Sequence, residues 1–273
     1  MKNTPLRTAM VILVILLVFI NIFVYLNDNT VSSPKKPIPS KNTENEANIT
    51  DKPVEPPPSK PVKTKQTDNE ITKQIVAKFR AADLVNVHEL DPSIQADLRY
   101  GTSNNFLERN LYGGLNECYL QEEVAKMLSK AQEFLKEKQP RLSLLVLDCA
   151  RPWSVQKAMW EVVKDTNQER YVASPYGGGS IHNYGASVDV TIVDNEGKEL
   201  DMGTPFDFFG EKAQPRHHQK FLDSGELTLE HITNRERLRE VMRKAGFRAI
   251  ESEWWHFNAF KKELVRKKYK MVE

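Results

Sequence analysis

The sequence predicts an α+β fold, a single domain with a central antiparallel sheet flanked by helices, preceded by a transmembrane helix and a disordered linker. Three observations carry this. Helical and strand patterns are interspersed without a regular βα repeat, and no internal repeat is present. The first 70 residues differ sharply in composition from the rest. The remainder, about 200 residues, is the right size for one domain with a real core. The formal net charge of +2 is close to balance. It lacks the basic excess of a nucleic-acid binder.

Residues 9–26, AMVILVILLVFINIFVYL, carry no charge and one polar side chain, Asn21. That length is about the minimum for a helix to span a hydrocarbon core, and it exceeds the roughly 7–15 residues of a signal-peptide apolar region. Lys2 and Arg7 precede it. Residues 1–8 are therefore expected in the cytoplasm and the folded part outside it, periplasmic or extracellular. An uncleaved signal anchor is the favoured reading, and secretion after signal cleavage is the alternative. Residues 27–70 are rich in Pro, Lys, Asn, Thr and Glu. They cannot bury enough apolar surface to fold, so they read as a disordered tether. The folded domain is expected over 71–273.

Within it, Val124, Met127, Leu128, Ala131, Phe134 and Leu135 follow an i, i+3, i+4, i+7 pattern, an amphipathic helix. Leu142–Asp148 is a short apolar run and reads as a buried strand. Pro152 opens a helix whose apolar face is Val155, Met159 and Val162. Ser187–Val193 alternates with β-branched residues and reads as a strand. Asp194–Gly197 is a turn, and KELDM after it could return as a second strand. Thr233 with Glu236 forms a capping-box pattern for a helix buried through Leu238, Val241, Met242 and Ala245, and stopped by Gly246. EWWHF, Glu253–Phe257, reads as a strand. The basic tail KKELVRKKYK reads as a solvated helix.

SIHNYGASVDV places His182 and Asp189 seven residues apart. Along an uninterrupted strand they would face opposite ways. Gly185 can supply a bend that brings both to one ion, although a plain turn before a strand would use the same glycine. His256 adds a third candidate ligand. Glu253, three residues earlier, is the candidate base, with Glu251 as runner-up. Arg151, just past the apolar strand, could face a cleft and steady an oxyanion, or pair with Asp148. Trp254 and Trp255 suit a cleft wall or the core equally. Cys118 and Cys149 could form a disulfide in an exported domain, or stay reduced in the core. His217 and His218 fit a surface or supporting role better than a second metal site.

Together these segments resemble a known family. SIHNYGASVD is similar to the Ser-x-His-x-x-Gly-x-x-x-Asp motif of the LAS-type zinc peptidases that act on D-alanyl peptides, and EWWHF to their Glu-x-x-His element. DCARPW resembles the Asp-x-x-Arg-Pro element of the VanX-type D-alanyl-D-alanine dipeptidases. Asp97–Phe106, Leu200–Phe209 and the helix before the last motif extend the match from about Val87 to Phe260.

The resemblance implies a zinc peptidase domain holding one Zn2+ per chain through His182, Asp189 and His256. Glu253 would act as general base and then acid, and Arg151 would polarise the carbonyl. Asp207 would receive the substrate's free ammonium, and Ser180 and Tyr100 would line the dipeptide pocket. The expected substrate is D-Ala-D-Ala or a related D-amino-acid peptide, met outside the cytoplasm. The alternatives are a zinc carboxypeptidase or endopeptidase on intact peptidoglycan, or a non-catalytic wall-binding module. Where the family usually has an aromatic before Arg-Pro, this chain has Ala150.

Overall fold

Helix α1, Lys65–Ala81, buries Ile75 and Phe79 one turn apart, and the Phe79 ring lies 5.3 Å from that of Tyr119. The computed structural model describes residues 65–273, which lie in the second of two units, Met1–Ser59 and Lys60–Glu273. Residues 65–70, read from composition as the end of the tether, are thus the first turns of a helix. The anchor expected at 9–26 and the rest of the tether lie outside the described residues. Among the described residues, no helix is long and apolar enough to cross a membrane.

Short elements follow: β1 (Val85–Asn86), α2 (Val87–Leu90), β2 (Gln95–Ala96) and β3 (Tyr119–Leu120). Helix α3, Glu122–Lys138, forms on the predicted stripe, with Val124, Leu128, Ala131 and Leu135 fully buried. Glu122 and Glu123 in its first turn and Lys136 and Lys138 in its last complement the helix dipole. Strand β4, Ser143–Asp148, is buried throughout. Helix α4, Trp153–Val163, starts after Pro152 and buries Val155, Met159 and Val163. Val162, expected on that face, is exposed, because the buried positions repeat every four residues and it falls between them.

Strand β5, Ser187–Val193, is buried along its whole length. After it the chain makes a turn, with Asp194 accepting from the backbone of Glu196 and Lys198. The second strand expected in KELDM is reduced to one bridge, Val193 to Glu199. Helix α5 is His218–Asp223 and helix α6 is Leu229–Lys244. The capping box of α6 is Thr228 with His231, five residues before the predicted start. Thr233 lies inside the helix, where its hydroxyl donates to the Leu229 carbonyl at 2.7 Å. Strands β6 (Arg248–Ala249) and β7 (His256–Asn258) and helix α7 (Lys262–Lys268) complete the chain. Only the end of EWWHF is a strand.

The main sheet has the order β2-β4-β5-β7-β6. Its pairs are antiparallel except β2 with β4, so the sheet is mixed rather than wholly antiparallel. The segment between β2 and β4 contains α3, a crossover long enough to bring the chain back in the same direction. Strands β1 and β3 form a separate antiparallel pair. Helices α3 and α6 pack on each other and on β4 and β5. Val188, Val190 and Ile192 join the core with them, while Val193 clusters with Leu145 and Leu147. Asp189, alternating with Val188 and Val190, is directed to the second face.

Candidate active site

A row of side chains crosses the middle of the sheet. The register pairs Asp148 of β4 with Asp189 of β5, and Asp189 with His256 of β7. Regular alternation from the Val146–Val190 pair would put Leu147 opposite Asp189. A register shift between Val146 and Asp148 puts Asp148 there instead, the re-aiming that a bulge provides.

His182 reaches this row from a 3-10 turn, Ile181–Tyr184, which ends at Gly185 in the left-handed region with φ 63°. A Cβ there would lie 2.7 Å from Leu84 Cδ2 and 3.3 Å from the Gln121 nitrogen, so the position suits glycine on two counts. Ser180 caps the turn, accepting from the His182 N–H at 3.3 Å. Asn183 fastens it, accepting from the Ser180 N–H and donating to the Arg151 carbonyl, both at 2.8 Å. Val272 adds a clasp. The Val272 N–H donates to the Asn183 carbonyl at 2.7 Å, and the Val272 carbonyl accepts from the Trp153 N–H at 2.8 Å.

Three donor atoms meet: His182 Nε2, His256 Nδ1 and Asp189 Oδ1. Their separations are 3.2 Å between the imidazoles, 2.9 Å from His256 to Asp189 and 3.4 Å from His182 to Asp189. The other imidazole nitrogens are occupied. His182 Nδ1 lies 2.7 Å from the Cys149 carbonyl, and His256 Nε2 lies 3.0 Å from Asn258 Oδ1. Both partners are acceptors, which assigns the ring protons to those nitrogens and leaves lone pairs at the meeting point. Tetrahedral ligands at about 2.0–2.1 Å from zinc lie about 3.3 Å from one another. The residues fit such an ion. Burial opposes the Asp189 charge, yet His182 and His256 hold its carboxyl below the usual range.

Arg151 is buried at the end of β4 in a closed set of bonds. Its Nε–H donates to Asp148 Oδ2 at 3.0 Å, NH2 donates to the same oxygen, and NH1 donates to Gln156 Oε1 at 2.8 Å. Asp148 also accepts from the Tyr112 hydroxyl at 2.8 Å, and Gln156 donates to the Ala173 carbonyl at 2.6 Å. Burial works against the guanidinium charge, but Asp148, the nearby tyrosines and Asp189 keep its pKa above the ordinary value. Both roles considered for Arg151 coexist, since the ion pair with Asp148 is buried and sits in the site.

All eight residues singled out for metal, catalysis and substrate line one cavity of about 320 Å³. Glu253 is pushed up to about 7, first by burial and then by Asp189 and Asp207, against the pull of His256 and Arg151. Asp207 is also raised to about 7, chiefly by burial. Among the described residues its one hydrogen-bond donor is Tyr100, whose hydroxyl lies 2.8 Å from Oδ2. Tyr100 is held edge-on by Phe106, Tyr112 and Phe206, with the Arg151 guanidinium 5.2 Å from its ring centre. The set can polarise a carbonyl, take a proton from water and hold an ammonium.

Residues 80–273 match the Peptidase M15 family, D-ala-D-ala dipeptidase. The chain belongs to this family. It is an enzyme, a metallopeptidase of the D-Ala-D-Ala dipeptidase family. It is 29% identical to a D-alanyl-D-alanine dipeptidase of Escherichia coli (strain K12) over 175 residues, 64% of this chain and 83% of that one. It is 27% identical to one of Enterococcus faecium over 187 residues, 62% of this chain and 87% of that one. A third, from Synechocystis sp., is 27% identical over 176 residues, 54% of this chain and 71% of that one.

In this member of the D-Ala-D-Ala dipeptidase family, the remaining candidates have the following surroundings. Glu251, the runner-up base, is exposed and pairs with Arg239. Cys118 and Cys149 are both buried and free. Burial and then the neighbouring Cys149 thiol push the Cys118 pKa well up, as for reduced core cysteines. Trp255 lines the cavity, while Trp254 is buried and donates to Thr204 Oγ1 at 2.9 Å. His217 bonds with Arg216. Burial, then Arg235 and Arg239, lower His218 to about 4, and it belongs to no metal cluster among the described residues. Sequence reading missed Tyr112 and Gln156. They bear on Arg151 from distant or unmarked positions, and no local pattern announces them.

Proposed function

We propose that this chain hydrolyses free D-alanyl-D-alanine, with zinc held by His182, Asp189 and His256, outside the cytoplasm and in the turnover of cell-wall peptides. The observation that carries the reading is Asp207. It is a carboxylate burdened by burial, close to the three converging donors, with one hydrogen-bond donor of its own. A substrate ammonium placed beside it supplies the missing counter-charge. An acylated amine supplies none and leaves the carboxylate unpaired, which disfavours longer peptides. The names of the three relatives support the same substrate.

Zinc bound at the three ligands supplies Lewis acidity and makes a water easier to deprotonate. Glu253 takes the proton from the attacking water and, with its raised pKa, can return it to the leaving amine. Arg151 has three of its five N–H groups committed to Asp148 and Gln156, which leaves two for the developing oxyanion. Tyr100 holds Asp207 in place, and Ser180 caps the turn that presents His182.

The deciding experiment compares purified protein on D-Ala-D-Ala and on N-acetyl-D-Ala-D-Ala, with metal content measured on the same sample. A clear preference for the free dipeptide is expected. A preference for the acylated substrate would replace this reading with a carboxypeptidase. The location rests on the apolar segment at 9–26 and its Lys2 and Arg7 flank. Protease added to intact cells should degrade the catalytic domain, and full protection would refute the assignment.

A further inference from the structure

We propose that Lys262 binds the C-terminal carboxylate of the dipeptide. The assignment rests on the D-alanyl-D-alanine reading above and extends it to the other end of the substrate. A free dipeptide carries two opposite charges, and Asp207 answers one of them. A carboxylate that leaves water for a cavity needs a cation or several donors in return.

Three cationic side chains line the cavity: Arg151, Arg170 and Lys262. Arg151 is tied to Asp148 and Gln156, and its two remaining N–H groups are assigned to the oxyanion. Arg170 lies over the Tyr171 ring, 5.0 Å from its centre, and bonds with the Tyr171 hydroxyl at 3.3 Å. Tyr171 in turn stacks on Phe209, two residues from Asp207, which places Arg170 on the ammonium side. Lys262 makes no hydrogen bond or ion pair with any described residue. Partial burial and then the like charge of Arg266 disfavour its ammonium against the smaller pull of Glu263, and an arriving carboxylate adds a counter-charge.

Lys262 lines the same cavity as Asp207 and the three ligands. Strand β7 carries His256, and the chain turns directly after it to deliver Lys262 at the start of α7.

The test is steady-state kinetics of the metal-loaded enzyme and its K262A, K262R and R170A variants on D-Ala-D-Ala and on its C-terminal amide. Lys262 is exposed at the surface, so the variants should fold, and thermal melting checks this. K262A is expected to raise KM for the dipeptide about tenfold with kcat little changed, as for loss of one partly exposed charge-assisted bond. K262R should recover most of that loss. Wild type should handle the amide about tenfold less well, and K262A should add no further loss on the amide. An unchanged KM in K262A, an equal loss on both substrates, or a loss confined to R170A each overturns the assignment while leaving the dipeptidase reading intact. Wild-type enzyme inactive on free dipeptide overturns both.

Discussion

Asp207 sits with φ 58°, in the left-handed region that a short polar side chain tolerates better than most. It and Glu253 are carboxyls that the fold holds near 7, against ordinary values of 3.8 and 4.5. In metal-free protein the folded state therefore keeps protons that the unfolded chain releases. Stability should fall as pH rises from about 4 to about 7 and remain lower above. Asp189 runs the other way. Its depressed carboxyl contributes stability at neutral pH that is lost in acid. Calorimetry of chelated protein should show a melting temperature that declines across pH 5–7. Asp207→Asn, which keeps an acceptor for Tyr100, should flatten the decline, gain a few degrees at pH 7.5 and lose dipeptide turnover. Identical pH slopes for the two proteins would refute this. Glu253→Gln should lower kcat by about 10²–10⁴-fold with metal content unchanged. Loss of the metal along with activity would instead mean that Glu253 supports the ligands.

The ligand-bearing turn and the strand after it act as one element, hinged at Gly185. Gly185→Ala should cost about 2 kcal/mol, from the left-handed backbone and the contact with Leu84. That lowers the melting temperature of a domain this size by about 4–8 °C. Metal affinity should fall as His182 moves, and a variant with wild-type melting and zinc binding would sink the idea. This element was legible in the sequence because its parts are local: a ligand, a glycine and a β-branched run within eleven residues. The same holds for Glu253 and His256. Elements set by distant partners were harder to read. Helix α1 is too polar to stand out, and its burial depends on Tyr119, forty residues away. The parallel β2–β4 pair depends on a crossover, not on alternation. Thr233 looks like a cap in the sequence, yet threonine serves equally well inside a helix when its hydroxyl bonds one turn back.

At the scale of the molecule, the site is where the sheet, the turn and the loop of Asp207 converge, so a metal there ties together segments far apart in sequence. Binding to the folded state alone stabilises it by mass action. Removal of metal with a strong chelator should abolish hydrolysis and lower the melting temperature by several degrees. One equivalent of zinc per chain should restore both. Restoration of melting without activity would mean that the ion is structural only. Strands β4 and β5 were legible from their apolar and β-branched runs, whereas the bond from Tyr112 to Asp148 was not, since it brings a loop residue to a strand end 36 residues on.

Val272 closes a loop that the catalytic chemistry never touches. Its N–H and carbonyl bridge the ligand turn at Asn183 and the helix that follows Arg151 at Trp153, so the segment around Val272 works as a latch on two parts of the site. Clipping the last three residues should therefore weaken zinc retention and turnover together, measurable by competition with a colorimetric chelator, although no side chain of the catalytic set is altered.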